Sequence, residues 1–457
     1  MNEADLFDAT IWVGPGNINL EKLDYLRQSQ IHNTLATYLA ICKRALDLNL
    51  PTIILDQLGA GRKIVGQLPK SAIPILFSYP ITVWAVKTCS ILIAKEFTKL
   101  PIYDNEKQNY EWLDAIAHLN RVLVGIAALN HLPAKLTCFA EGGYLHIQPL
   151  GLSIPSDLER PIVTVDLDGN IYIKEQSFRL DDTGLSNFRA RPLTNAKGPT
   201  VDPFDPLFQK VWINSLSFPY GLKARTPLKE ELDNWIDMAR GAFSSLEKLW
   251  PEMVHEINHL QTIIIPVITS NPSQSVSHSS DYFFGAVLVS NADVDLFNES
   301  LVHEHCHNVM YGLLSNYPMV THKGLFDECH YSPWRPDARP IYGLLHAVYV
   351  FSRVCEYYVR LVNARPADKV VVNRLAFLHA RVEIGCLVLR GSENLTQDGI
   401  ALINTVELSA PRIRNSFNYA DHQENNRKLS EHFNTWCMAH QSLNPPIKVI
   451  EYLSFGK

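Results

Sequence analysis

Eight cysteines in 457 residues, irregularly spaced and without a CxxC pair, give no disulfide framework and read as reduced thiols of an intracellular protein. Basic charge is also in short supply. The 41 Lys and Arg against 47 Asp and Glu leave a net charge of −6, and the basic residues are scattered, so nucleic acid is not an expected partner. The amino terminus, MNEADLFDA, lacks the basic and then apolar order of a signal peptide, which makes the cytoplasm the expected compartment. The most membrane-like stretch, IPILFSYPITVWAVKTCSILIAK, is interrupted by Pro74, Pro80 and Lys87; a buried helix after the Tyr79-Pro80 break is expected there, and no membrane span. Phosphate-binding glycine motifs are missing as well. GAGRKIVG, Gly59 to Gly66, fits neither GxGxxG nor GxxxxGK[ST] and reads as a loop, and DLDGN lacks the remaining ligands of a calcium-binding EF-hand loop. No internal repeat is evident.

What remains is a chain with 46% apolar and 19% charged residues, suited to a globular protein of two or three domains or one large integrated fold. Helical periodicity runs in blocks from about Leu20 to Asn130. From Gly143 to about Leu193 the texture becomes short β-type runs, with Asp168-Gly169 suited to a tight hairpin turn. RPLTNAKGPTVDPFDP, Arg191 to Pro206, reads as a linker, which places an N-terminal helical and β-rich region at 1–200 and a second domain at 201–457. There a long helix is expected from about Leu228, then strands at TIIIPVIT and YFFGAVLVS, then helices to about Leu408. The expected class is α+β, mostly helical.

Two stretches of the second domain, MVHEINHL and LVHEHCHNVM, each carry His-Glu-x-x-His. Four residues of helix turn the chain by about 400°, so both histidines of such a pattern leave one face with the glutamate beside them, the geometry a metal needs. In the first copy, Leu232 to Leu260 form an apolar stripe at alternating spacings of four and three, and His255 and His259 lie about 200° from it, facing solvent. In the second copy, His303 and His307 are surrounded by Leu301, Val302, Cys306, Val309, Met310 and Leu313. That helix is expected to be buried, and buried imidazoles and a carboxylate require partners, for which a metal is economical. Histidines satisfied by backbone carbonyls are the competing reading. Zinc-peptidase-like folds set a short edge strand beside the metal helix, and YFFGAVLVS just before the second copy fits that zincin-like layout by analogy.

The metzincin continuation is excluded, because Met310 and Leu313 stand where Gly and His would be. Third-ligand candidates are His322, Glu328, His330, His346 and Glu356. His346 is preferred, since PIYGLLHAVYVFSRVCEYY is a second apolar helix able to pack against the first; Glu328 comes next.

The order VHExxH, a spacer, then YSPWRPDARPIYGLLHAVYVF resembles the HExxH-type 2-oxoglutarate-dependent peptide β-hydroxylases, the HExxH-motif peptide-modification proteins of ribosomal peptide natural-product pathways. The resemblance is strongest from about Phe283 to Phe351. It implies that His303, His307 and His346 bind Fe(II) and that the substrate is a precursor peptide hydroxylated at a side-chain β-carbon, with O2 and 2-oxoglutarate as cosubstrates. A third histidine departs from the usual facial triad, which has a carboxylate there. The distal carboxylate of 2-oxoglutarate calls for arginine, and Arg335 and Arg339 are the candidates, weighed against salt bridges to Asp337, Asp327 or Glu328. Trp334 would wall the site or anchor its loop in the core. Glu304 would orient a ligand or the substrate in an oxygenase; in the alternative, a Zn(II) metallopeptidase, it would be the general base acting on water. A non-catalytic peptide-binding protein is a third reading.

Overall fold

The structure is a computed structural model in which residues 7–13, 18–48, 50–98, 112–179, 191–194, 198–213, 224–271, 273–327, 329–418 and 423–455 are described. Helix accounts for 61% and strand for 12%, so the chain is α+β and mostly helical. Five helices come first: α1 (Leu20–Asp47), α2 (Thr52–Gln67), α3 (Ala72–Ser78), α4 (Pro80–Thr98) and α5 (Trp112–Leu129). Short strands follow: β1 (Ala134–Thr137), β2 (Ala140–Glu141), β3 (Tyr144–Ile147), β4 (Leu152–Pro155), β5 (Ile162–Val165), β6 (Ile171–Ile173), β7 (Gln176–Phe178), β8 (Arg191–Pro192) and β9 (Thr200–Val201). Next are the single turn α6 (Pro206–Phe208), β10 (Ala224–Arg225), α7 (Lys229–Leu249), α8 (Pro251–Leu260), β11 (Ile263–Thr269), β12 (Ser277–His278) and β13 (Ala286–Ser290). The chain continues with α9 (Val294–Asn316), α10 (Ile341–Ala364), α11 (Lys369–Arg390), α12 (Gln397–Arg414), α13 (Gln423–Ala439) and α14 (Ile447–Phe455).

Two compact units interleave along this order. One comprises Met1–Leu26, Gly241–His259 and Val294–Lys457; the other comprises Arg27–Arg240 and Leu260–Asp293. The boundary expected near residue 200 therefore falls inside the second unit. Its physical reason is sheet pairing: the supposed linker supplies β8 and β9, which pair with each other, and β9 runs parallel to β11 with Thr200 opposite Ile263.

In the second unit, β1, β5, β6 and β7 form an antiparallel sheet, β2, β3 and β4 a smaller one, and β12, β13, β11, β9 and β8 lie in that order in a third, with β10 also on β11. The hairpin at Asp168-Gly169 forms as expected: Gly169 takes a φ of +81°, and the Asp166 carboxylate accepts from the amides of Asp168 and Asn170. The expected edge strand before the second HExxH helix is a correction. β13 has β11 on one side and β12 on the other, because the segment between β11 and β13 folds back and lays Ser277 and His278 along it. GAGRKIVG is a second correction, since it lies within α2. Gly59 and Gly66 have open space around them, while Gly61 admits Tyr38 and Leu123 close to the backbone, 2.9 and 3.1 Å from where a Cβ would sit. Among the described residues, α5 alone is a single straight helix long and apolar enough to cross a membrane, and 83% of it is buried within the protein. The stretch after Tyr79-Pro80 is the buried helix α4, with Ile81, Val83 and Ala85 fully covered.

In the first unit, α10 packs between α9 and α11. The apolar residues that ring α9, from Leu301 to Leu313, are completely buried, which fixes its histidine-bearing stripe against α10.

Candidate metal centre

His303 and His307 sit one turn apart on α9, half-buried, and His346 is buried one turn and a half into α10 behind the N-terminal Pro340. The structure brings the three rings together. His303 Nε2 and His307 Nε2 are 3.2 Å apart, and His307 Nδ1 and His346 Nδ1 are 3.1 Å apart. Two nitrogens bound to one ion at about 2.1 Å, with angles near 90–109°, stand roughly 3.0–3.4 Å apart, so each separation matches an edge of a coordination polyhedron. As placed, His307 turns a different nitrogen to each partner, and among the described residues no three metal-binding groups close on one point. Each close approach therefore joins one pair of rings, and what the side chains show is three imidazoles gathered at one place.

Aromatic rings enclose this set. Tyr311, four residues beyond His307, stacks against it at 6.1 Å between centroids and lies 5.0 Å from His346; Tyr342, four residues before His346, lies 4.8 Å from that ring. Phe351 meets His303 edge-on at 4.9 Å, and Trp334 stacks on Phe351 at 5.0 Å with their planes 6° apart. Trp334 thus lines the site through Phe351. Sequence reasoning missed Tyr311 and Tyr342, although their spacing of four from a candidate ligand puts them on its face.

The Glu304 side chain is 5% exposed, with Oε1 4.0 Å from His303 Nε2, so the carboxylate stands beside the candidate ligands. Arg335 and Arg339 converge on Asp337, at 3.0 and 3.3 Å, as the salt-bridge reading anticipated. Burial would raise the Asp337 carboxyl, but the two guanidiniums hold it below its ordinary range. They differ in placement: Arg335 is 55% exposed, whereas the Arg339 guanidinium lies against Gly343, three residues before His346, with Nη2 3.2 Å from where a Cβ would stand. Of the other third-ligand candidates, His330 contacts the Cys329 thiol at 3.3 Å, His322 packs on Phe326, and Glu356 is bound by Arg412 and Arg360. Glu328 lies outside the described residues.

The first HExxH copy behaves differently. His255 is exposed, and His259 is half-buried, 3.6 Å from Asp24. Its glutamate, however, is 1% exposed and accepts from Arg353 at 2.9 and 3.0 Å and from the Ile18 amide at 3.0 Å, with His305 Nε2 at 3.4 Å. Burial would raise the Glu256 carboxyl, and Arg353 with His305 holds it below the usual range; burial pushes the His305 imidazole down. The signal for Glu256 was present, since Met253, Glu256, Ile257 and Leu260 follow the spacing of a buried stripe. No family model matches the chain, and no curated protein matches it significantly.

Proposed function

We propose that this chain is a cytoplasmic Fe(II)- and 2-oxoglutarate-dependent oxygenase with a zincin-like metal domain, hydroxylating a side-chain β-carbon in a ribosomally made precursor peptide. The observation that carries the reading is the convergence of His303, His307 and His346 from two adjacent helices, walled by aromatic rings. These histidines would hold the iron, which with bound 2-oxoglutarate and O2 supplies the oxidising power for inserting one oxygen into a C–H bond. Three protein ligands leave positions for a bidentate cosubstrate and for O2.

The rest of the work falls to the chain's own side chains. Arg339, beside the helix of His346, is the better placed cation for the distal carboxylate of 2-oxoglutarate, which would displace Asp337 from one side of its guanidinium. Tyr311, Tyr342 and Phe351 exclude water and give an apolar bed for a substrate side chain. Glu304 stands 4.0 Å from the His303 nitrogen that faces His307, where its carboxylate would orient the substrate.

A Zn(II) metallopeptidase is the second reading, favoured by the position of Glu304 close to His303, where it could take a proton from water. One experiment separates them. Protein loaded with Fe(II) is given 2-oxoglutarate, O2 and a library of short peptides, and succinate and peptide masses are followed. Succinate accompanied by the gain of one oxygen supports the oxygenase; peptide cleavage by the zinc-loaded protein, without succinate from the iron-loaded one, supports the peptidase. Neither product would leave a peptide-binding protein.

A further inference from the structure

We infer that Glu256, the glutamate of the HExxH copy that faces away from metal, is the positioning residue that sets the two ligand-bearing helices in phase; the inference rests on the metal reading of His303, His307 and His346. Glu256 is buried on α8 and holds one anchor on each ligand helix. On α10 it pairs with Arg353 through both carboxylate oxygens, at 2.9 and 3.0 Å. Arg353 follows His346 by seven residues, close to two full turns, so both project from nearly the same face. On α9 the anchor is His305, whose Nε2 lies 3.4 Å from Glu256. His305 stands between His303 and His307 in sequence and about 200° around the helix from each, on the opposite side of α9. A third contact, from the Ile18 amide at 3.0 Å, fixes the carboxylate itself.

One carboxylate thus grips α9 from behind its ligands and α10 along the face that carries His346. The consequence for a metal is geometric. Side-chain tips lie about 5–6 Å from a helix axis, so a rotation of about 10° displaces a ligand nitrogen by roughly 1 Å. Metal sites tolerate only about 0.2 Å in ligand distance. Apolar packing seats α9 against α10, and the directed bonds to the buried Glu256 charge add a second restraint on the rotation of each helix. Side chains that orient metal ligands typically change metal affinity by about 10–100-fold when altered.

The test is Co(II) binding, read by its visible ligand-field bands, with Zn(II) competition for affinity, at a temperature far below unfolding. Glu256→Gln preserves the shape and removes the charge facing Arg353. Glu256→Met with Arg353→Met removes both charges while keeping the volume, and provides a folded comparison if the single variant is unstable. The expected result, in whichever variant shows wild-type circular dichroism, is Co(II) affinity reduced at least tenfold with altered band positions. A merely structural Glu256 would lower the melting temperature and leave affinity and bands as in the wild type, and that result overturns the inference. Absence of Co(II) binding in the wild type would overturn the metal reading itself, and this inference with it.

Discussion

Replacing Gly385 with Ala offers a sharp test of how the site is walled, because two effects of opposite sign compete. Gly385 lies on α11, and a Cβ there would stand 2.5 Å from Val348 Cγ2 and 3.0 and 3.1 Å from Trp334 Cη2 and Cζ3. Carbon atoms rest at about 3.5–4.0 Å, so the closest contact must open by roughly 1 Å. Val348 is fully buried and β-branched, with little freedom to turn away. Overpacking of this kind costs about 1–3 kcal/mol, and the better helix propensity of Ala returns about 1 kcal/mol. A net loss of up to about 2 kcal/mol is expected, seen as a melting temperature lower by up to roughly 8 °C for a unit of this size. Val348→Ala in the same chain makes room for the new methyl, so the double variant should lose less than the sum of the singles. Because Trp334 stacks on Phe351 and Phe351 abuts His303, the single variant should also weaken divalent metal binding. A Gly385→Ala protein more stable than the wild type by about 1 kcal/mol, the propensity gain alone, would refute the close approach.

His303→Ala and His307→Ala should each abolish Co(II) uptake measured by equilibrium dialysis, while His255→Ala and His259→Ala leave it intact; loss of metal in the His255 variant would contradict the assignment. Arg339→Ala should raise the 2-oxoglutarate requirement by at least tenfold with metal retained, and Arg335→Ala, more exposed, should change it less; equal or absent effects would remove the carboxylate role from Arg339. Burial pushes the imidazoles of His118, His305, His330, His379 and His432 below their ordinary range. Their folded values lie below the unfolded value of about 6.5, so the stability they contribute is complete above that pH and is lost as pH falls through the folded values. Thermal melts should therefore show lower stability at pH 5.5 than at pH 7.5, and a protein indifferent between the two would show that these histidines are not held neutral.

Much of this was legible because burial patterns write themselves into spacing. The stripe from Leu232 to Leu260 is buried at every position from Leu232 through Ile236, Ala239, Phe243, Leu246, Trp250, Met253 and Ile257, even though Pro251 divides it into two helices. The apolar residues around His303 and His307 likewise announced a helix buried over most of its circumference, with the two imidazoles themselves half-buried. The interleaving of the two units was not legible, since pairing of Thr200 with Ile263 is decided by a contact far along the chain. Nor was the helical state of GAGRKIVG, where tertiary packing onto Gly61 overrides the propensity of three glycines. Glu256 escaped notice because a charged residue on an apolar stripe looks like an interruption; its value lies in Arg353, 97 positions away.

The most direct test of the central claim is an anaerobic optical titration of the Fe(II)-loaded protein with 2-oxoglutarate. The account predicts a saturable visible charge-transfer band, from bidentate chelation of iron held by His303, His307 and His346, that is absent in the His303→Ala protein. Tight zinc binding with no such band in the iron-loaded wild type would contradict the oxygenase reading and make Glu304 the residue to change next.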